Sequence, residues 1–163
     1  MQRFPLSTSV ITRSDLATLD RQRSKRLTDH LNSLIRFEMK FREFEFDRQT
    51  TQTEVQRLSR ILTGDNILIT LEERMGKVIG TVVVRPVQVG TGLIAYLGFL
   101  SIHEEYRRQV QAKTLMEHAE TLSKQLGCSA VQLSVLANND AAVEFYAAMN
   151  YNPMVTYLGK ELK

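Results

Sequence analysis

The sequence predicts a mixed α/β domain around a single sheet, and three observations carry that prediction. Helical spacing dominates residues 14–62, successive β-patterned runs fill residues 66–102, and strand and helix alternate from there to residue 158. With 163 residues, 43% hydrophobic and 24% charged, the chain fits one soluble globular domain able to bury roughly two-thirds of its unfolded surface.

A short strand is expected at residues 9–13, after which Ser14 and Asp15 supply a helix N-cap ahead of Leu16 and Leu19. Leu27, Leu31, Leu34 and Ile35 recur at helical spacing and carry this helix to about Arg36. The segment FEMKFREFEF, with Phe37, Phe41, Phe44 and Phe46, reads as a helix end or a loop lining a pocket. A second helix fits residues 53–62 and stops at Gly64. Strands follow at 66–72 and 78–84, the latter a β-branched run, with ERMGK as the turn between them. Pro86 argues for an edge or bulge near that strand's end. GTG turns the chain into a strand over 93–102, where Gly98 marks a bulge or a close backbone approach.

Residues 108–126 form the strongest amphipathic pattern, with Ala112, Leu115, Met116, Ala119, Leu122 and Leu126 on one face and Gly127 as terminator. A strand at 130–136, a helix at 140–149 and a final strand at 153–158 complete the order.

Composition narrows the function. A net charge of +3 and a pI near 9.1 suit an anionic ligand, but no clustered basic stripe argues for nucleic acid. Arg21, Arg23, Lys25 and Arg26 read as a solvated helix face. One cysteine, Cys128, excludes an internal disulfide framework, fits a reducing compartment and reads as a small buried thiol. No secretory leader and no membrane-spanning apolar run is expected, which points to the cytoplasm. His30, His103 and His118 have no metal-ligand spacing, so no metal site is expected, and His118 reads as solvent-facing.

The chemistry concentrates in two runs. YRRQVQAKTLMEHAE follows a strand and opens a helix, and NNDAAVEFY follows the next strand and opens another. The first turn of a helix leaves N–H groups unpaired at the positive end of its dipole, which is a phosphate site. Together the runs suit a long polyanionic cofactor that carries a reactive group.

These residues resemble the GNAT superfamily of acyl-CoA-dependent N-acyltransferases over about three-fifths of the chain, from Asn66 onward. The family's phosphate loop falls on Arg107-Arg108-Gln109-Val110-Gln111-Ala112, and its later Asn-x-x-Ala-x-x-x-Tyr pattern on Asn139, Ala142 and Tyr146. The resemblance implies a single domain with a mostly antiparallel sheet splayed between its fourth and fifth strands, flanked by about four helices. It implies acetyl-CoA as cosubstrate and an amine-bearing acceptor attacked directly in a ternary complex, with no membrane or nucleic-acid partner and a homodimer left open. The pyrophosphate would meet Gln109 to Lys113, helped by Arg107 or Arg108, through charge-assisted bonds worth roughly 1.5–3 kcal/mol each. The pantetheine arm would pair with Leu100, Ser101 and Ile102. Asn139 would cap its helix and contact that arm, with Ala142 beside it, and the Tyr146 phenol would protonate the departing thiolate. Two bland readings stay open: Tyr146 as a core aromatic, and Arg107–Arg108 as a solvated helix start.

Two departures bear on function. Val110 replaces the first loop glycine; with helical dihedrals its N–H can still donate while its side chain turns to the core. Gly98 and Phe99 stand where many relatives carry a basic glutamate. Glu38, Glu43, Glu45 and Asp47 are substitute candidates, whereas Glu104 and Glu105 read as surface. A non-catalytic acyl-CoA-binding or regulatory module is the competing reading. Asn150, in place of a glycine, suits a left-handed C-cap.

Overall fold

A five-stranded sheet in the order β1-β2-β3-β4-β5 organises the chain. The computed structural model describes residues 6–38, 54–73, 75–108, 110–158 and 160. Its strands are β1 (Ser7–Ile11), β2 (Ile67–Glu72), β3 (Val78–Val89), β4 (Gly92–Ile102) and β5 (Ala130–Leu133). The first four pair antiparallel, and β5 joins β4 in parallel after a helical crossover. The helices are α1 (Arg21–Glu38), α2 (Glu54–Ile61), α3 (Gln111–Gln125) and α4 (Asp140–Ala148).

Helices cover both faces of the sheet, which explains why the run after Val78 is β-branched without polar alternation. Val82 and Val84 pack with Ile69, Leu71 and Ile79 against Leu115, Met116 and Ala119 of α3. Val83, between them, packs with Leu68 against Leu27 and Leu31 of α1 and Leu58 and Leu62 near α2. Pro86 lies beyond the last β2–β3 pair, Ile67–Val84, where β3 has only β4 beside it, as expected of an edge position.

Several expectations need correction: β1 covers Ser7–Ile11 rather than 9–13, and β3 runs on past residue 84 to Val89. The first helix is split: Thr12 caps a 3₁₀ turn over Arg13–Ala17 through a capping box with Asp15, so Ser14 is not the cap. A second cap follows, in which the Asp20 carboxylate accepts the Arg23 N–H at 2.8 Å and starts α1. β5 ends at Leu133 rather than Leu136. Residues 153–158 are no strand. Their alternation suits one, but no described residue pairs with them, and Met154, Val155, Tyr157 and Leu158 are exposed.

The basic cluster is also more than a solvated face, because the Arg23 guanidinium pairs at 2.9 Å with Glu72, whose carboxylate is buried. Lys25 does pair in solvent, with Asp29 at 3.0 Å. Gly127 (φ 81) and Asn150 (φ 64) end α3 and α4 in the left-handed region, as their residue types lead one to expect. Glu104, Glu105 and His118 lie at the surface. No described helix is long and apolar enough to cross a membrane.

Candidate active site

The site is created where β4 and β5 part. Their parallel pairing runs from Ile94–Ala130 to Leu97–Leu133 and stops, while β4 continues five residues to Ile102. Beyond Leu97, β4 keeps its β3 neighbour but loses the other, leaving main-chain groups without a sheet partner. A bulge re-aims this end of the strand: Thr81 faces Ser101 and Val83 faces Gly98, so one extra residue of β4 is accommodated opposite Val82. The left-handed residue at the bulge is Phe99 (φ 53), not the neighbouring glycine. Its cost is offset by the Phe99 ring packing against the α1–α2 core and by the Thr81 hydroxyl donating to its carbonyl at 3.2 Å.

The expected run 100–102 lies just past this bulge. Leu100 and Ile102 pack toward α3, so Ser101 between them faces α1 and is buried. The His103 N–H donates to Ile79 of β3 at 2.7 Å. By alternation, the main-chain groups of Leu100 and Ile102 point the other way, toward the gap that β5 leaves. Arg107 Nε donates to the Ile102 carbonyl at 3.1 Å from that side.

The loop between β4 and α3 is a 3₁₀ turn, Glu104–Tyr106, an extended Arg107 and a left-handed Arg108 (φ 56). Both arginines are exposed. Gln109 lies outside the described residues. Val110 is the N-cap of α3 (φ −69, ψ −11), and the first i to i−4 bond runs from the Thr114 N–H to its carbonyl at 2.9 Å. The N–H groups of Gln111, Ala112 and Lys113 therefore precede the helical ladder and point out of the helix start. The Val110 side chain is 70% exposed, so the expectation that it turns into the core is wrong. At an N-cap it precedes the apolar stripe, and Leu115, Met116 and Ala119 fill the core instead. Gln111 is buried, Ala112 half-buried and Lys113 exposed, 3.8 Å from Glu117.

Asn139 caps α4 with its main chain: its carbonyl accepts the N–H groups of Ala142 and Val143, both at 3.0 Å, and its side chain makes no cap bond. Ala142 and Tyr146 are half-buried. Tyr146 packs against the same apolar cluster as Leu100, Ile102 and Leu133, with ring contacts to Phe145 at 5.3 Å and Tyr151 at 5.9 Å. The two sequence runs thus meet on the α3 side of the gap. Among the substitute carboxylates, Glu38 ends α1, while Glu43, Glu45 and Asp47 lie outside the described residues, as do Phe41, Phe44 and Phe46.

The sequence reading missed two features. The Tyr96 hydroxyl bonds the Ser134 hydroxyl at 2.7 Å, bridging the strands where they fork. His30 of α1 is only 6% exposed, and neither ring nitrogen reaches a partner in hydrogen-bond geometry. Burial pushes its pKa down to about 4; the nearby Ser101 main chain opposes that shift, while His103 and Arg107 add to it. No periodicity could reveal a buried histidine whose neighbours come from the end of β4. Among the described residues, no group of three or more His, Cys, Asp or Glu side chains is arranged to hold a metal ion.

The model of the acetyltransferase (GNAT) family matches residues 31–151. Solved structures share the architecture across nearly the whole chain. An aminoglycoside acetyltransferase from an uncultured soil metagenomic sample, in complex with sisomicin, superposes with a TM-score of 0.69 at 16% identity, covering 97% of each chain. A glucosamine-6-phosphate N-acetyltransferase from Arabidopsis thaliana gives 0.65 at 17% identity, covering 98% of this chain and 99% of that one. A GNAT family acetyltransferase from Staphylococcus aureus gives 0.64 at 20% identity, covering 96% and 98%. At these identities the likeness speaks for the fold. Curated protein sequences yield no match.

Proposed function

The chain belongs to the acetyltransferase (GNAT) family, and from that premise we propose that it is an N-acetyltransferase moving an acetyl group from acetyl-CoA to a primary amine. The observation that carries this reading is the fork after Leu97–Leu133, which leaves an unpaired β4 edge leading directly to the start of α3. The residues present fit the cosubstrate. The main-chain groups of Leu100 and Ile102 suit the amides of the pantetheine arm, as one strand pairs with another. The N–H groups of Gln111 to Lys113, placed at the start of α3 ahead of its first i to i−4 bond, suit the pyrophosphate, with Arg107 or Arg108 adding charge. The Val110 side chain is exposed and does not fill the core, so its replacement of glycine is compatible with phosphate at the helix start.

In this reading the amine attacks the thioester carbonyl directly, and the thiolate that leaves takes the proton of the Tyr146 phenol. Proton transfer of this kind contributes about 10²–10⁴-fold. The Asn139 side chain, unused in capping, is available to the cofactor arm.

The absence of a carboxylate at Gly98 and Phe99 favours one second reading, an acyl-CoA-binding module without turnover. Thiol release from acetyl-CoA, measured against a panel of primary amines alongside calorimetric CoA binding, separates the two. Turnover supports the transferase, binding without turnover supports the module, and absence of binding removes both.

A further inference from the structure

Where α1 crosses the end of β4, a cleft of about 600 Å³ opens, lined in part by Arg26, Asp29, His30, Lys77, His103 and Arg107. His30 is the residue in it that packing does not explain. The residue is only 6% exposed, yet neither ring nitrogen has a hydrogen-bond partner among the described residues. Burying an imidazole unpaired costs on the order of 1–3 kcal/mol, and such groups in native proteins call for a reason. Core packing would be served better by leucine, as at the neighbouring Leu27 and Leu31.

Position supplies the reason. Ser101, whose main chain acts on the ring, is the centre of the 100–102 run and turns its side chain toward α1. His30 therefore stands on the α1 side of the strand edge whose other face carries Leu100, Ile102 and Tyr146. Gly98 and Phe99 bring no proton acceptor to that edge.

We propose that His30 accepts the proton released by the attacking amine, with the acceptor substrate seated in the cleft between α1 and the end of β4. This rests on the acetyltransferase reading above. The amine lone pair forms the new C–N bond as the carbonyl π pair moves to oxygen. One N–H proton passes to the unprotonated ring nitrogen of His30, directly or through one water. Collapse of the adduct breaks the C–S bond, and the thiolate takes its proton from Tyr146. Amide and free thiol result, and the imidazolium returns its proton to the tyrosine through solvent. A neutral imidazole presents one donor and one acceptor nitrogen, so the ring can receive a proton. Burial keeps it neutral at pH 7. A weakly basic ring suffices, because nitrogen becomes much more acidic once bound to the carbonyl carbon.

The test compares wild type with His30→Gln and His30→Ala, using acetyl-CoA and the best acceptor from a panel of sisomicin, glucosamine 6-phosphate, spermidine and a short peptide with a free N-terminus. Circular dichroism and CoA calorimetry check folding, and His30→Asn replaces any variant that fails to fold. The expected result is a fall in kcat of about a hundredfold or more at pH 7 with CoA affinity within about twofold. The deficit narrows as pH rises, because hydroxide then takes the N–H proton of the adduct without the imidazole, and added imidazole partly restores His30→Ala. Folded variants that keep wild-type kcat and pH profile overturn the proposal and leave the transferase reading standing. So does a deficit that is constant in pH and untouched by imidazole, which would make His30 a packing residue. Absence of turnover by wild type itself counts against the transferase reading, and the role of His30 falls with it.

Discussion

The buried, unpartnered His30 makes the stability of this protein depend on pH in a way that one substitution can isolate. Unfolded, the ring takes up a proton near its ordinary value of 6.5; folded, burial delays this to about 4. Between those values unfolding binds a proton, so acid favours the unfolded chain. The stability this group contributes is complete above 6.5 and declines as pH falls toward 4. The slope is about 1.4 kcal/mol per pH unit, which gives a loss of about 2 kcal/mol by pH 5 and about 3 kcal/mol by pH 4. Asp15 and Glu105, whose carboxyls Thr12 and Lys77 hold below their ordinary values of 3.8 and 4.5, also lose their contributions in acid. For Asp15 that loss lies below pH 4, and for Glu105 it begins near 4.5, under the pH 5.0 used for the comparison; both losses are common to the two proteins being compared. Urea denaturation of wild type and His30→Gln at pH 7.5 and 5.0, followed by circular dichroism, reads the difference. Wild type should lose about 2 kcal/mol more than the variant over that interval. Equal losses would mean that the folded ring titrates normally, in a partnered or hydrated environment, and would refute the reasoning.

Three further outcomes follow from the same geometry. Ala112→Asp adds a charge beside the N–H groups at the start of α3; it favours the helix itself through the dipole but should weaken CoA binding at least about tenfold, or about 1.4 kcal/mol, by calorimetry. Tyr146→Phe keeps the ring contacts with Phe145 and Tyr151, so CoA affinity should hold while turnover falls about ten- to a thousandfold, less so with a more acidic leaving thiol. Gly80→Ala would set its Cβ 2.6 Å from the Leu115 and Ile102 side chains and 2.9 Å from the Ser101 carbonyl, a main-chain atom that cannot rotate away. Chemical denaturation should show a loss of about 1–3 kcal/mol.

Most of the fold was legible because local chemistry and tertiary context agree. The apolar stripe Leu115, Met116 and Ala119 faces the sheet as its spacing requires, and Val82, Val83 and Val84 are buried on both faces. Gly127 and Asn150 stop their helices for the reason their conformational freedom suggests. The misreadings arise where two signals compete or where partners are remote. Asp20 caps as well as Asp15, and local pattern alone does not say that both act. Residues 153–158 have strand texture, but a strand exists only with a partner edge. Gly98 correctly flagged a bulge, yet Phe99 takes the left-handed conformation because its ring has a core to fill. The loop motif located the start of α3, while the outward turn of Val110 depended on which residues reach the core first. His30 was silent in the sequence, since its neighbours lie more than seventy residues away at Ser101, His103 and Arg107.

Amide hydrogen exchange with and without acetyl-CoA locates the cosubstrate, because the amides that would meet it lie in two short segments. Those of Leu100 and Ile102 have no sheet partner, and those of Gln111, Ala112 and Lys113 precede the helical ladder of α3. Acetyl-CoA should slow exchange in both segments while the β1–β2 ladder keeps its rates. Binding that protects other parts of the chain and leaves these two segments unchanged would contradict the assignment of the fork between β4 and β5 as the acetyl-CoA site.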